Sequence, residues 1–295
     1  MRASLRVLAC GLWLAALPAF ACPPTDHDAA SLHALKSGGF ALQGAAARRA
    51  LAMDLLGCLA SPDPTLRDGI AYEALAKWMR AGEFDADALR DLRGRLDAML
   101  DGDPGEGFAH PFAALALAEV ARTDRIAPWM STDERAAMVE RAASYVEGVR
   151  DYRGHDDAQG WRHGVAHGAD WLMQLALNPA LDRAGADRIL AAVAVQAVPS
   201  SGHAYVFGEP ERLARPVLFV AQRGLHSDEA WRAWFEALLP RIGDASLAYR
   251  DAAWLARRHD LLAFLSAVYI EADNSKDPGI AAIKPAVTAA LRAMP

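Results

Sequence analysis

Arg67-Asp68-Gly69-Ile70-Ala71-Tyr72 returns 95 residues later as Arg162-His163-Gly164-Val165-Ala166-His167, in the shared order Arg, polar, Gly, branched, Ala, ring. His110-Pro111-Phe112-Ala113 and Arg215-Pro216-Val217-Leu218 repeat a looser form: polar, then Gly or Pro, then apolar. The four polar residues Asp68, His110, His163 and Arg215 lie 42, 53 and 52 residues apart. An interval of that size holds two helices and their turns, which predicts helical hairpins stacked as a HEAT-like α-solenoid. The alternative is a compact, irregular helical array.

The surrounding chain agrees with either all-α reading. Apolar residues recur at spacings of three and four in ten runs: Ala41–Leu59, Leu66–Met79, Leu89–Leu100, Phe112–Val120, Ala136–Val149, Trp161–Leu177, Ile189–Val198, Leu213–Ala221, Ala230–Leu239 and Ala248–Ile270. Strand patterning is almost absent. Ser131-Thr132-Asp133-Glu134 reads as a capping box, in which hydroxyl and carboxylate satisfy the free amides of a new helix. Ser227 before Asp228 and Glu229 marks another start. No Gly/Ser-rich or Pro-rich linker divides the chain, so residues 22–295 read as one domain.

Residues 1–21 read as a secretory signal. Arg2 and Arg6 precede the apolar run Val7–Leu17, and Pro18 precedes Ala19-Phe20-Ala21. The run is about half the ~20 residues a membrane span needs. No transmembrane segment is expected after cleavage, and the mature protein would be periplasmic or secreted. Cys22 follows the cleavage site directly. Ala19 and bulky Phe20 suit ordinary signal peptidase better than lipoprotein processing, so a lipid anchor at Cys22 is the weaker reading. Cys22 and Cys58 are then the only thiols. They either bridge in an oxidising compartment or leave Cys58 as a small buried hydrophobe.

The whole chain has 31 basic and 37 acidic residues; without Arg2 and Arg6 the balance is 29 to 37, a net charge of −8. A nucleic-acid partner is excluded on that balance, because phosphate binding needs a basic stripe. There is no Gly-rich phosphate loop, no Gly-x-Ser-x-Gly and no Cys-x-x-Cys.

The densest polar cluster is Trp161-Arg162-His163-Gly164-Val165-Ala166-His167-Gly168-Ala169-Asp170-Trp171. On one helix, His163, His167 and Asp170 would form a single stripe. Such a stripe can hold a divalent metal such as Zn, move protons without metal, recognise a ligand, or only pack helices. Gly164 and Gly168 each cost about 1 kcal/mol inside a helix, which calls for close approach of a neighbour. If the repeat is real, Asp68, Tyr72, His110, Trp161, Arg212 and Arg215 line one concave binding groove, with Glu209 beside Arg212. Glu73, turned away from Asp68, should pair with an arginine of a neighbouring repeat. The polar stretch Asp151–Asp157 would form a rim, and Trp231, Trp234 and Phe235 would be core.

These residues resemble the DUF2785 family of uncharacterised bacterial all-helical proteins. The resemblance is carried by Arg67-Asp68-Gly69-Ile70-Ala71-Tyr72-Glu73 and by Asp151-x-Arg153-Gly154 leading into Gly160-Trp161-x-His163-x-x-x-His167-x-x-Asp170. It runs from about Leu55 to about Leu265 and implies an all-α fold without implying an activity. The export signal and the acidic His155-Asp156-Asp157 depart from the family pattern. Three functions stand: a binding module for a peptide, glycan or small molecule; a metal- or His-dependent hydrolase using the same cluster; and a structural envelope protein.

Overall fold

The structure, a computed structural model, describes residues 22–295; the segment read as a signal peptide lies outside the described residues. The fold is all-α. The helices are α1 (Ala29–Ser37), α2 (Ala45–Leu55), α3 (Pro64–Leu66), α4 (Glu73–Arg80), α5 (Ala86–Asp101), α6 (Ala109–Ile126) and α7 (Thr132–Gly148). They continue with α8 (Gly164–Ala176), α9 (Arg183–Ala197), α10 (Glu209–Gln222), α11 (Asp228–Glu236), α12 (Ala252–Asn274), α13 (Pro278–Ala282) and α14 (Lys284–Arg292). A widened π-type turn, Arg67–Tyr72, joins α3 to α4. The only strands among the described residues, β1 (His155–Asp156) and β2 (Gly160–Trp161), form a small hairpin ahead of α8.

Even-numbered helices stack as a row: α4 on α6, α6 on α8, α8 on α10 and α10 on α12, while α5 backs α6 and α7 packs on both α8 and α9. A continuous apolar core runs through this stack from Leu32 to Ala290. Trp231 and Phe235 are buried in it, as their spacing implies.

Local chemistry explains the element boundaries. Ser131 accepts from the Glu134 amide while the Glu134 carboxylate accepts from the Ser131 amide, so α7 begins where the capping box predicts. Gly168 is where α8 meets α7: a Cβ there would lie 2.6 Å from Val146 and 2.9 Å from Tyr145. The glycine thus permits the close crossing that its helix-propensity cost implied. Gly164 is under no such constraint, its nearest neighbours standing at an ordinary 3.4 Å.

Three sequence expectations need correction here. Trp161, Arg162 and His163 lie ahead of the helix, in the hairpin and its exit, because α8 begins only at Gly164. The repeat register also fails at its last member. Arg215-Pro216 sits in the middle of α10, which starts at Glu209-Pro210, where the Pro ring costs no hydrogen bond. Glu73 pairs with Lys36 of α1 at 2.7 Å, not with an arginine of a neighbouring hairpin. Cys22 and Cys58 are joined by a disulfide, which decides between the two readings of these thiols. No helix of the described residues is long and apolar enough to cross a membrane.

Candidate functional site

The site forms where the hairpin hands the chain to α8. Asp156 accepts from the amides of Ala158 and Gln159, closing the turn. The ladder then continues past β2, with Arg162 N–H on the Gly154 carbonyl and His163 N–H on the Arg153 carbonyl. His163 turns the chain into the helix with φ 57° and ψ 41°, the left-handed region that favours glycine. Its ring is kept there by stacking on Trp161, centroids 4.7 Å apart and planes 22° apart. His163 is only 7% exposed. Its Nε2 is buried without a hydrogen-bond partner and stands 3.6 Å from Glu209 Oε1.

His167 follows one turn on, its ring centroid 6.0 Å from that of His163. Its Nδ1 lies 3.1 Å from the Pro111 carbonyl, which can only accept. Nδ1 therefore carries the proton and Nε2 carries a lone pair. Burial, reinforced by the Arg212 charge, pulls His163 down to about 4. Burial, then the charges of His163 and Arg212, pull His167 down to about 3. Both imidazoles are neutral at physiological pH.

Asp170 does not join them as a third ligand. Arg212 takes both carboxylate oxygens in a two-point pair, Nε to Oδ1 at 2.9 Å and Nη2 to Oδ2. Burial raises the Asp170 carboxyl while this guanidinium opposes the rise. Among the described residues no group of three or more His, Cys, Asp or Glu is spaced to hold a metal ion. The metal-binding reading of the His163/His167/Asp170 stripe, one of those left open by the sequence, therefore finds no assembled triad among the described residues.

The proposed groove divides in the same way. Asp68 and Tyr72 line a depression of about 450 Å³ with Lys77 and Arg80. There Tyr72 donates to Glu119 at 3.4 Å, and Arg80 holds the same carboxylate. Arg215 lines another of about 640 Å³, between α8, α10 and α12. His110 turns to a third, about 420 Å³, its Nε2 donating to the Gly102 carbonyl at 2.9 Å. Asp68, His110, His163 and Arg215 thus do not share one concavity; a common register along the chain does not fix a common direction in space. Trp161 and Arg212 do reach the His163 cluster.

Glu209, which the sequence offers only as an accessory beside Arg212, and two residues without a sequence signal, Asp260 and His203, complete the region. Glu209, 2% exposed, accepts from Phe207 N–H at 3.0 Å. Asp260 of α12, wholly buried, accepts from Tyr205 N–H at 2.8 Å and leaves Oδ2 unpartnered. His203 also has a buried, unpartnered Nε2. The segment 199–208 is therefore tied down by carboxylates from α10 and α12. Burial pushes Glu209 up, and burial with the nearby Glu209 charge pushes Asp260 up to about 7.

A pH prediction follows for Asp260. The folded state keeps a proton that the unfolded chain releases between about pH 4 and 7, so stability falls as pH rises through that window. The loss is about 1.4 kcal/mol per unit of upward shift. Asp260→Asn should flatten the slope and melt above the parent at pH 8. Melting curves from pH 4 to 8 that run parallel for parent and variant would contradict this.

Fold and site together define an all-α protein with a buried polar site at the junction between the hairpin and α8. The chain belongs to the family described as protein of unknown function DUF2785, whose profile matches residues 101–270. That span contains the Asp151–Asp170 motif and excludes the Arg67–Glu73 motif, so the match begins later than the resemblance suggested. No curated protein and no solved structure matches the chain.

Proposed function

We propose that this protein is an exported binding module of stacked, HEAT-like helical hairpins, which takes a small polar molecule at the cluster of His163, His167 and Asp170–Arg212. The observation that carries the reading is His163 itself. A non-glycine residue in the left-handed region costs about 1–2 kcal/mol. A buried polar atom without a partner costs about 1–3 kcal/mol more. A side chain held at that double cost, beside a half-exposed Trp161, is placed to meet a ligand. Export is supported by the Cys22–Cys58 bridge, since disulfides persist in oxidising compartments.

The test is His163→Gly, which relieves the backbone while removing the ring. If His163 serves binding, relief offsets lost packing, and the melting temperature stays within about 3 °C of the parent. The thermal shift given by the best ligand in a panel of monosaccharides, dipeptides and small amines should vanish. A variant that loses stability as a core truncation does, about 3 kcal/mol or more, while keeping that shift would overturn the reading.

A hydrolase is the second reading, favoured by the Nε2 lone pair of His167 beside the His163–Glu209 pair. Stoichiometric zinc in untagged protein, lost in His163→Ala, would shift the balance to it.

A further inference from the structure

Glu209 and Asp260 are two carboxylates almost wholly removed from water. Among the described residues, neither is in an ion pair with Lys or Arg, and the side chain that stands against Glu209 is the neutral His163, at 3.6 Å. The other acids of the region are provided for: Asp170 has Arg212 and Glu119 has Arg80. Each of the two carboxylates feels the other's field or that of a neighbouring imidazole. Asp260 has His259 and Glu209 within electrostatic reach, and Glu209 has His203. Three buried polar atoms on three separate segments, His163 Nε2, His203 Nε2 and Asp260 Oδ2, lack partners here. Of these, His163 Nε2 is aimed at Glu209.

Aromatic rings border this acidic cluster: Trp161 stacks on His163, whose Nε2 stands 3.6 Å from Glu209. Trp161 from the hairpin and Phe207 from segment 199–208 meet edge to face at 6.0 Å. Both are more than a third exposed on their outer sides. Phe207 rests on Gly154, where a Cβ would fall 2.0 Å from its ring, so the chain leading into the hairpin and the segment 199–208 pack directly on each other. Behind them Tyr152 stacks on His203 at 5.1 Å.

We propose that the cluster of Glu209, Asp260, His163 and His203, bordered by Trp161 and Phe207, binds a small organic ammonium ion. The inference rests on the binding-module reading and names its ligand class. A sugar would fill hydrogen bonds but leave two carboxylates without countercharge in a desolvated site. A metal ion would need three converging ligands, which the described residues do not offer. An ammonium ion supplies the missing charge and donates to carboxylate oxygens and imidazole nitrogens. Its carbon substituents and charge also suit aromatic faces.

The experiment is isothermal titration at pH 8 with putrescine and with choline, using glucose and acetate as comparison ligands. Saturable binding of one ammonium compound is expected, without binding of glucose or acetate. Glu209→Gln and Asp260→Asn should each weaken it about tenfold or more, because each leaves part of a buried charge unpaired. Trp161→Ala should weaken choline more than putrescine. Melting curves guard against a folding artefact, since Asp260→Asn is expected to be at least as stable as the parent. The proposal is overturned if neither ammonium compound binds, or if binding survives both carboxylate substitutions. Glucose binding that depends on His163 would overturn the ammonium site yet leave the binding module standing. If no compound gives a His163-dependent signal, both fail.

Discussion

Arg67→Met is expected to lower the unfolding free energy by about 4 kcal/mol or more, because it strips the donors from a wholly buried guanidinium. Nη1 donates to the Ser61 carbonyl at 2.9 Å, and Nη2 donates to the Gln159 carbonyl at 2.7 Å, across 92 residues of chain. Nη2 also pairs with Asp68 at 2.7 Å. The guanidinium plane lies over Phe108 at 4.1 Å and Phe112 at 4.8 Å, which ties α6 into the same junction. Methionine replaces the volume but leaves two carbonyls and a carboxylate without their donor. Lysine keeps the charge but not the fork, so Arg67→Lys should recover less than half of the loss. Gln159 stands next to β2, so the damage should spread to the turn that sets His163. Urea unfolding gives the magnitude, and hydrogen exchange at Gln159–Trp161 reports the spread. An Arg67→Met protein within about 1 kcal/mol of the parent would show that the junction is held by packing alone.

Signals that act within one or two helical turns were legible in the sequence. The capping box at Ser131 needs only four residues and starts α7 as read. Gly168 sits in a helix at a cost, and a neighbour does press against it. In the stripe Trp231, Trp234 and Phe235, set at helical spacing, Trp231 and Phe235 are core and Trp234 packs half-buried against it. The short helices α1, α13 and α14 were not picked out, because runs of five to nine residues show too little periodicity. The site was legible only in part. His163 and His167 are neighbours in sequence and in space, but the left-handed turn at His163 depends on Trp161 and the hairpin. Asp170 stands free as a ligand in its local sequence, and Arg212, 42 residues away, occupies it in the fold. Glu209 was read only as an accessory at the start of α10. Its partners His203 and Asp260 carry no motif, and the segment 199–208 contains no periodic pattern. What joins them is the stacking of α8, α10 and α12, a long-range property of the row.

Removing the Cys22–Cys58 bridge is the second large change, with an expected loss of about 4 kcal/mol for a bridge spanning 36 residues. The chain-entropy argument places most of that loss in the unfolded state, but the native contacts decide where it appears first. Before α2, the bridged segment is anchored by few side chains. Leu32 and Phe40 are buried, the Phe40 carbonyl accepts from Trp78 Nε1 at 2.9 Å, and Lys36 reaches Glu73. Cys58, by contrast, sits in the turn Leu56–Ala60, which is buried from Leu56 to Leu59. Cutting the bridge frees the weakly held end and leaves the strongly held one. The Cys22→Ser/Cys58→Ser protein should melt roughly 10 °C lower, since about 4 kcal/mol corresponds to that shift in a chain of this size. Amide exchange should rise in Ala29–Ser37 well before it rises in α8. Dithiothreitol should lower the parent's melting temperature by a similar amount and leave the double-serine protein unchanged. Equal melting of oxidised and reduced parent, with thiol titration proving reduction, would mean that Leu32, Phe40 and Trp78 hold the segment without the bridge.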